Sequence, residues 1–140
     1  MFRCLYLRAG EPRYPDRVDS RNILIVEDEM ITALDLQNQL RKLGYGITAL
    51  ARSGEEAIRL TEQANPDLVL MDLNLTGPMG GIEASKRIRE VNEEVPVVYL
   101  TAYPSILMRS PGQMQKPYMC LSKPVSIPNL QTIIEVALRS

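Results

Sequence analysis

Short apolar runs of four to six residues recur five times after Asn22, and all but the fourth are followed by a segment with clear helical spacing. No other feature restricts the fold so tightly. Ile23-Leu24-Ile25-Val26 and Leu68-Val69-Leu70-Met71 lack the alternation of a strand with one wet face, so they read as strands buried on both faces. Residues 47–51, 95–100 and 118–121 are the other strand candidates, with Pro96 tolerable only near a strand start. Between them, Ala33, Leu36, Leu40 and Leu43 recur at three- and four-residue steps over residues 30–43, and Gly44 stands where a C-terminal helix glycine belongs. Ser53 and Glu56 form a capping box for a helix ending near Ala64, with Pro66 as its stop. Ala84, Ile88 and Val91 mark a helix after the Gly/Pro-rich loop 75–80, and Leu130, Ile133, Ile134, Ala137 and Leu138 mark the last, over residues 127–139. Residues 104–117 are poorly patterned and carry at most a short helix over 106–109. Such alternation calls for an α/β, doubly wound fold, a parallel sheet covered by helices on both faces.

With 140 residues the chain accommodates one domain. Residues 1–21 hold five arginines and no sustained periodicity, and are expected to be a flexible basic N-terminal extension. Residues 22–140 are the expected domain. A net charge of −1 gives no basic field, so direct nucleic-acid binding is not expected, and no apolar stretch is long enough for a bilayer. Cys4 and Cys120 form no paired spacing, which fits a reducing cytoplasm. The chain has no histidine, which removes Ser-His-Asp triads, histidine metal ligands and an internal phosphohistidine. Chemistry must then rest on oxygen and ammonium groups, and oxygen ligands suit Mg²⁺ or Mn²⁺ rather than Zn²⁺.

Such groups stand at the carboxyl ends of four runs: Glu27-Asp28 after the first, Asp72 after the third, Thr101 after the fourth, Ser122-Lys123 after the fifth. Taken singly, each has an ordinary structural reading as a solvated loop, a helix cap, a turn residue or a surface lysine. Open α/β sheets bind ligands at that edge, so finding all four there favours a site. Neighbouring carboxylates repel by roughly 4 kcal/mol per pair at about 4 Å and an effective dielectric of ~20. Glu27, Asp28 and Asp72 together therefore ask for a cation, for which Mg²⁺ is suited. Lys123 and Thr101 can bind oxygens of a phosphoryl group, and Asp72, central in the sheet, is the best-placed nucleophile for phosphoryl transfer.

At these residues the sequence resembles the CheY-like receiver domains of two-component response regulators. The resemblance is carried by Ile23 through Glu29, Leu68 through Leu73, Gly81-Ile82-Glu83-Ala84, Tyr99 through Tyr103 and Lys123-Pro124, in family order and spacing. It implies a five-stranded sheet in the order 2-1-3-4-5, and Asp72 as acceptor of a phosphoryl group from a phosphohistidine. It further implies Mg²⁺ (or Mn²⁺) held by Glu27, Asp28, Asp72 and the Asn74 carbonyl, phosphoryl sensing by Thr101 and Lys123, and a cis Lys123-Pro124 bond. The implied partners are a histidine kinase or histidine phosphotransfer protein and a downstream protein target, with a homodimer compatible. The implied role is a signalling switch rather than an enzyme, standing alone or as part of a larger regulator or hybrid kinase.

Departures from the pattern are Gly80-Gly81 in place of Asp-Gly, one extra loop residue after Asp72, and Cys120 where many receivers carry the aromatic residue of the switch. Two rivals follow: a pseudo-receiver that only binds proteins, and a haloacid-dehalogenase-like phosphatase. The phosphatase pattern needs Asp-x-Asp on the first strand, whereas Asp72-Leu73-Asn74 lies on the third.

Overall fold

The computed structural model describes residues 21–103 and 119–139. The expected residues 1–20 of the extension and the short helix over 106–109 lie outside the described residues. Five strands form one parallel sheet: β1 (Asn22–Val26), β2 (Gly46–Ala51), β3 (Leu68–Asp72), β4 (Val97–Thr101) and β5 (Met119–Ser122). Four helices accompany them among the described residues: α1 (Met30–Lys42), α2 (Gly54–Ala64), α3 (Gly81–Val91) and α4 (Ile127–Arg139). The order in space is β2-β1-β3-β4-β5, as the resemblance implied.

Because β1, β3 and β4 are buried on both faces, their alternate side chains feed two separate cores. Leu24, Val26, Val69, Met71 and Tyr99 pack with Ala57 of α2 and with Ala84 and Ile88 of α3. Ile23, Ile25, Leu68, Leu70, Val98 and Leu100 pack with Leu36 and Leu40 of α1 and with Leu130 and Ile134 of α4. The sheet is thus wound on both sides, with α1 and α4 on one face and α2 and α3 on the other.

Local chemistry sets the element ends. After α1, the Gly44 N–H donates to the Arg41 carbonyl and the Tyr45 N–H to that of Leu40, with Gly44 at φ +100°. This paired closure needs a left-handed residue, which glycine adopts without strain. At the start of α2 the Ser53 hydroxyl accepts the Glu56 N–H at 3.1 Å. The Glu56 carboxylate reaches past the cap to the Arg52 N–H at 2.7 Å, so the box is closed one residue earlier than the sequence pattern suggests. β4 begins at Val97 rather than at 95, because Pro96 has no N–H to give; its carbonyl still accepts from Val69 at 3.0 Å. β4 also runs on to Thr101 and β5 to Ser122, one residue beyond the expected ends.

The strand order reverses between β1 and β3, which are adjacent while their connection passes through the edge strand β2. A crevice opens at the carboxyl ends of strands on either side of such a point.

Candidate functional site

Pairing holds each polar group at that crevice. The Glu27 N–H donates to the Ala51 carbonyl at 2.9 Å, extending the β1–β2 ladder one residue past β1. Glu27 is thereby kept in the sheet layer and is 3% exposed. Asp28, next along the chain, is half-buried. Asp72 ends β3 at 2% exposure, and the Leu73 N–H behind it donates to the Leu100 carbonyl at 3.0 Å. Thr101 ends β4, fully buried, and its carbonyl accepts the Lys123 N–H at 2.9 Å. That bond places Lys123 just beyond β5, ahead of a cis peptide to Pro124.

The side chains converge. The Lys123 ammonium lies 3.2 Å from Asp72 Oδ1 and 3.6 Å from Glu27 Oε1. Ligand atoms of Glu27, Asp28 and Asp72 all fall within 4.8 Å of one another. Asp72 Oδ1 also accepts the Asn74 N–H at 2.9 Å, Glu27 Oε2 accepts the Glu29 N–H at 3.1 Å, and Thr101 Oγ1 accepts the Tyr103 N–H at 3.0 Å. Asn74 enters through its backbone, and its side chain is exposed. Helix α3 starts directly against the end of β3. A Cβ on Gly81 would stand 2.6 Å from the Asp72 carbonyl oxygen, so that position takes only glycine without displacement.

Two of the three carboxylates have acidities shifted in opposite directions. Burial pushes the Glu27 carboxyl up to about 7, helped by a hydrogen bond shared with Asp72 and by the Asp72 charge. Asp28 is held below the ordinary carboxylate range, chiefly by the Thr76 hydroxyl. Glu27 Oε1 is buried and makes no hydrogen bond; the lysine at 3.6 Å is in ion-pair range only. A buried oxygen left in that state is costly unless a further positive group completes it.

Thr76 was not among the residues the sequence pointed to. Its N–H donates to Asp28 Oδ2 at 3.0 Å and its hydroxyl to the same oxygen at 2.7 Å. The only sequence signal was a hydroxyl residue inside a Gly/Pro-rich loop. Cys120 sits on β5 opposite Tyr99 and packs half-buried against the α2–α3 core, and burial pushes its thiol up, away from the reactive thiolate. A cavity of about 830 Å³ lies at the other end of the sheet, beside Asp67 and Pro96, and its acidic residues Glu62, Glu90 and Glu94 are exposed. It has none of the buried convergence seen around Asp72.

Comparison with known proteins agrees with this fold. The family model described as the response regulator receiver domain matches residues 23–135, and the chain belongs to that family. It is 33% identical over 117 residues to the phyllosphere-induced regulator PhyR of Methylorubrum extorquens, covering 83% of this chain and 43% of that protein. It is 36% identical over 129 residues to the transcriptional regulatory protein PdtaR of Mycobacterium tuberculosis, covering 92% of this chain and 62% of that protein. The chain therefore spans less than two thirds of these curated relatives. The solution structure of the receiver domain of the Erythrobacter litoralis PhyR response regulator superposes with a TM-score of 0.77 at 33% identity, covering 87% of this chain and 92% of that one. No helix among the described residues is long and apolar enough to cross a membrane.

Proposed function

We propose that the chain is a phosphoacceptor switch in which Asp72 takes a phosphoryl group in a Mg²⁺-dependent reaction. The observation that carries this reading is the placement of Asp72. Its Oδ1 is held by the Lys123 ammonium and the Asn74 N–H, next to two further carboxylates, one of which keeps a buried oxygen with no hydrogen bond.

The donor set fits a hard divalent cation: oxygens only, clustered within 4.8 Å, with one buried oxygen that makes no hydrogen bond. Glu27, Asp28, Asp72 and the Asn74 carbonyl would hold it. When bound, the cation neutralises the carboxylates and offsets negative charge on the transferring group. The chain's own groups do the rest. The Lys123 and Asn74 contacts to Asp72 both fall on Oδ1, so Oδ2 is taken as the nucleophile. Its attack on phosphorus forms an acyl phosphate as the P–N bond of the donor breaks and the electron pair leaves with the imidazole nitrogen. These 140 residues hold no histidine, so the phosphohistidine lies outside them, on a histidine kinase or phosphotransfer protein. Lys123 takes up charge on a phosphoryl oxygen.

The readout starts at Thr101, whose hydroxyl now accepts the Tyr103 N–H. Turning that hydroxyl to a phosphoryl oxygen gives up this bond and frees the backbone after β4. With Cys120 in place of an aromatic residue, the signal passes through this backbone to a downstream protein target.

Incubation with acetyl phosphate, followed by intact-mass measurement, tests the reading. One phosphoryl adduct is expected with Mg²⁺, none with EDTA and none in Asp72→Asn. A folded protein that binds Mg²⁺ and gains no adduct would make it a protein-binding module instead.

A further inference from the structure

Of the three clustered carboxylates, Glu27 and Asp72 are fixed by burial at strand ends, whereas Asp28 is half-buried on a loop. Something must keep it from swinging out to solvent. The geometry points to Thr76 as the positioning residue that holds Asp28 in place for the divalent cation. This inference rests on the metal-dependent reading above and deepens it.

The loop after β3 is shaped to present Thr76. Leu75 and Met79 are both buried in the α2–α3 core and pin the loop at two points. Met79 lies so close to α2 that a Cβ on Gly54 would meet its sulfur at 2.9 Å. Between the anchors, Thr76, Gly77 and Pro78 form an exposed arch that reverses at Gly77, with φ +99°. From this arch the Thr76 N–H and hydroxyl both reach Asp28, 48 residues earlier in the sequence. Both donate to Oδ2, at 3.0 and 2.7 Å, which leaves Oδ1 as the oxygen for a cation. A cation on Oδ1 would break neither hydrogen bond. Thr76 orients the ligand without competing for it. Partners of metal-ligating carboxylates commonly act in this way, and their loss weakens metal binding roughly 10- to 100-fold.

The test is calorimetric titration of Mg²⁺ into the full chain, comparing wild type with Thr76→Val and Thr76→Ser. Valine keeps the branched shape and the backbone donor and removes only the hydroxyl. Its Mg²⁺ affinity is expected to fall about 10-fold, while serine stays close to wild type. In the acetyl phosphate reaction, the half-saturating Mg²⁺ concentration of the valine variant should rise by the same factor, with the rate at saturating Mg²⁺ unchanged. A mere loop tether would lower the melting temperature in EDTA and leave the Mg²⁺ affinity where it was, and that result overturns the inference while leaving the phosphoacceptor reading intact. A wild-type protein that binds no Mg²⁺ overturns both.

Discussion

Replacing Glu27 with glutamine removes one charge from the carboxylate cluster while keeping the side-chain shape and an oxygen for the Glu29 N–H. Glu27 is raised from an ordinary 4.5 to about 7 in the folded chain, mainly by burial and then by Asp72. A group whose folded pKa lies above its unfolded one stabilises the fold fully below the unfolded value, and that contribution is lost as pH rises through the folded value. For Glu27 the window runs from pH 4.5 to about 7. At about 1.4 kcal/mol per pH unit, the loss across it is about 3 kcal/mol. In EDTA at pH 8, Glu27→Gln should therefore be more stable than wild type by up to about 3 kcal/mol. At pH 4.5 the difference should largely vanish. Urea unfolding followed by circular dichroism reads this directly, as a midpoint shift on the order of 1 M or more for a domain of this size. Mg²⁺ should narrow that gap at pH 8 in proportion to its saturation, because only the wild type offers the third carboxylate. A glutamine variant no more stable than wild type at pH 8 in EDTA would refute the reasoning, as would a difference that ignores pH.

Two further expectations concern the frame of the site. Gly81→Ala would drive a methyl group against the Asp72 carbonyl and the Leu73 Cα, which are backbone atoms; urea unfolding should show a loss of about 1–3 kcal/mol, and unchanged stability would contradict the close approach. Ser85 gives its single hydroxyl hydrogen to the Ile82 carbonyl at 2.8 Å, so the buried Tyr99 hydroxyl, 2.7 Å from Ser85 Oγ, is the donor of that pair. Tyr99→Phe should cost about 1 kcal/mol, and a double-mutant cycle with Ser85→Ala should show the two changes to be coupled rather than additive.

Much of the molecule is legible in the chain because the central strands are buried on both faces. Ile23 through Val26 and Leu68 through Met71 have no polar interruption, and each gives way to acid where the sheet meets solvent. The same step from apolar to polar locates Glu27, Asp28, Asp72 and Thr101, and Lys123 follows one residue after β5. What escapes such reading depends on partners distant in sequence. The β1–β2 register slips between Ile23 and Leu24, leaving Thr48 as an extra residue with a buried, unbonded hydroxyl, and no local pattern marks it. Thr76 is similar, since its value lies in a bond to a loop 48 residues away. The unequal burial of Glu27 and Asp28 also comes from tertiary structure, because adjacent residues leaving a strand face different surroundings.

The central claim is that Asp72 itself receives the phosphoryl group. Borohydride reduction converts an aspartyl phosphate to homoserine, so reduction after incubation with acetyl phosphate, followed by peptide mass mapping, marks the acceptor residue. Homoserine at position 72, present with Mg²⁺ and absent with EDTA, is the expected result. Homoserine at Asp28 or any other aspartate, with residue 72 unmodified, would contradict the account.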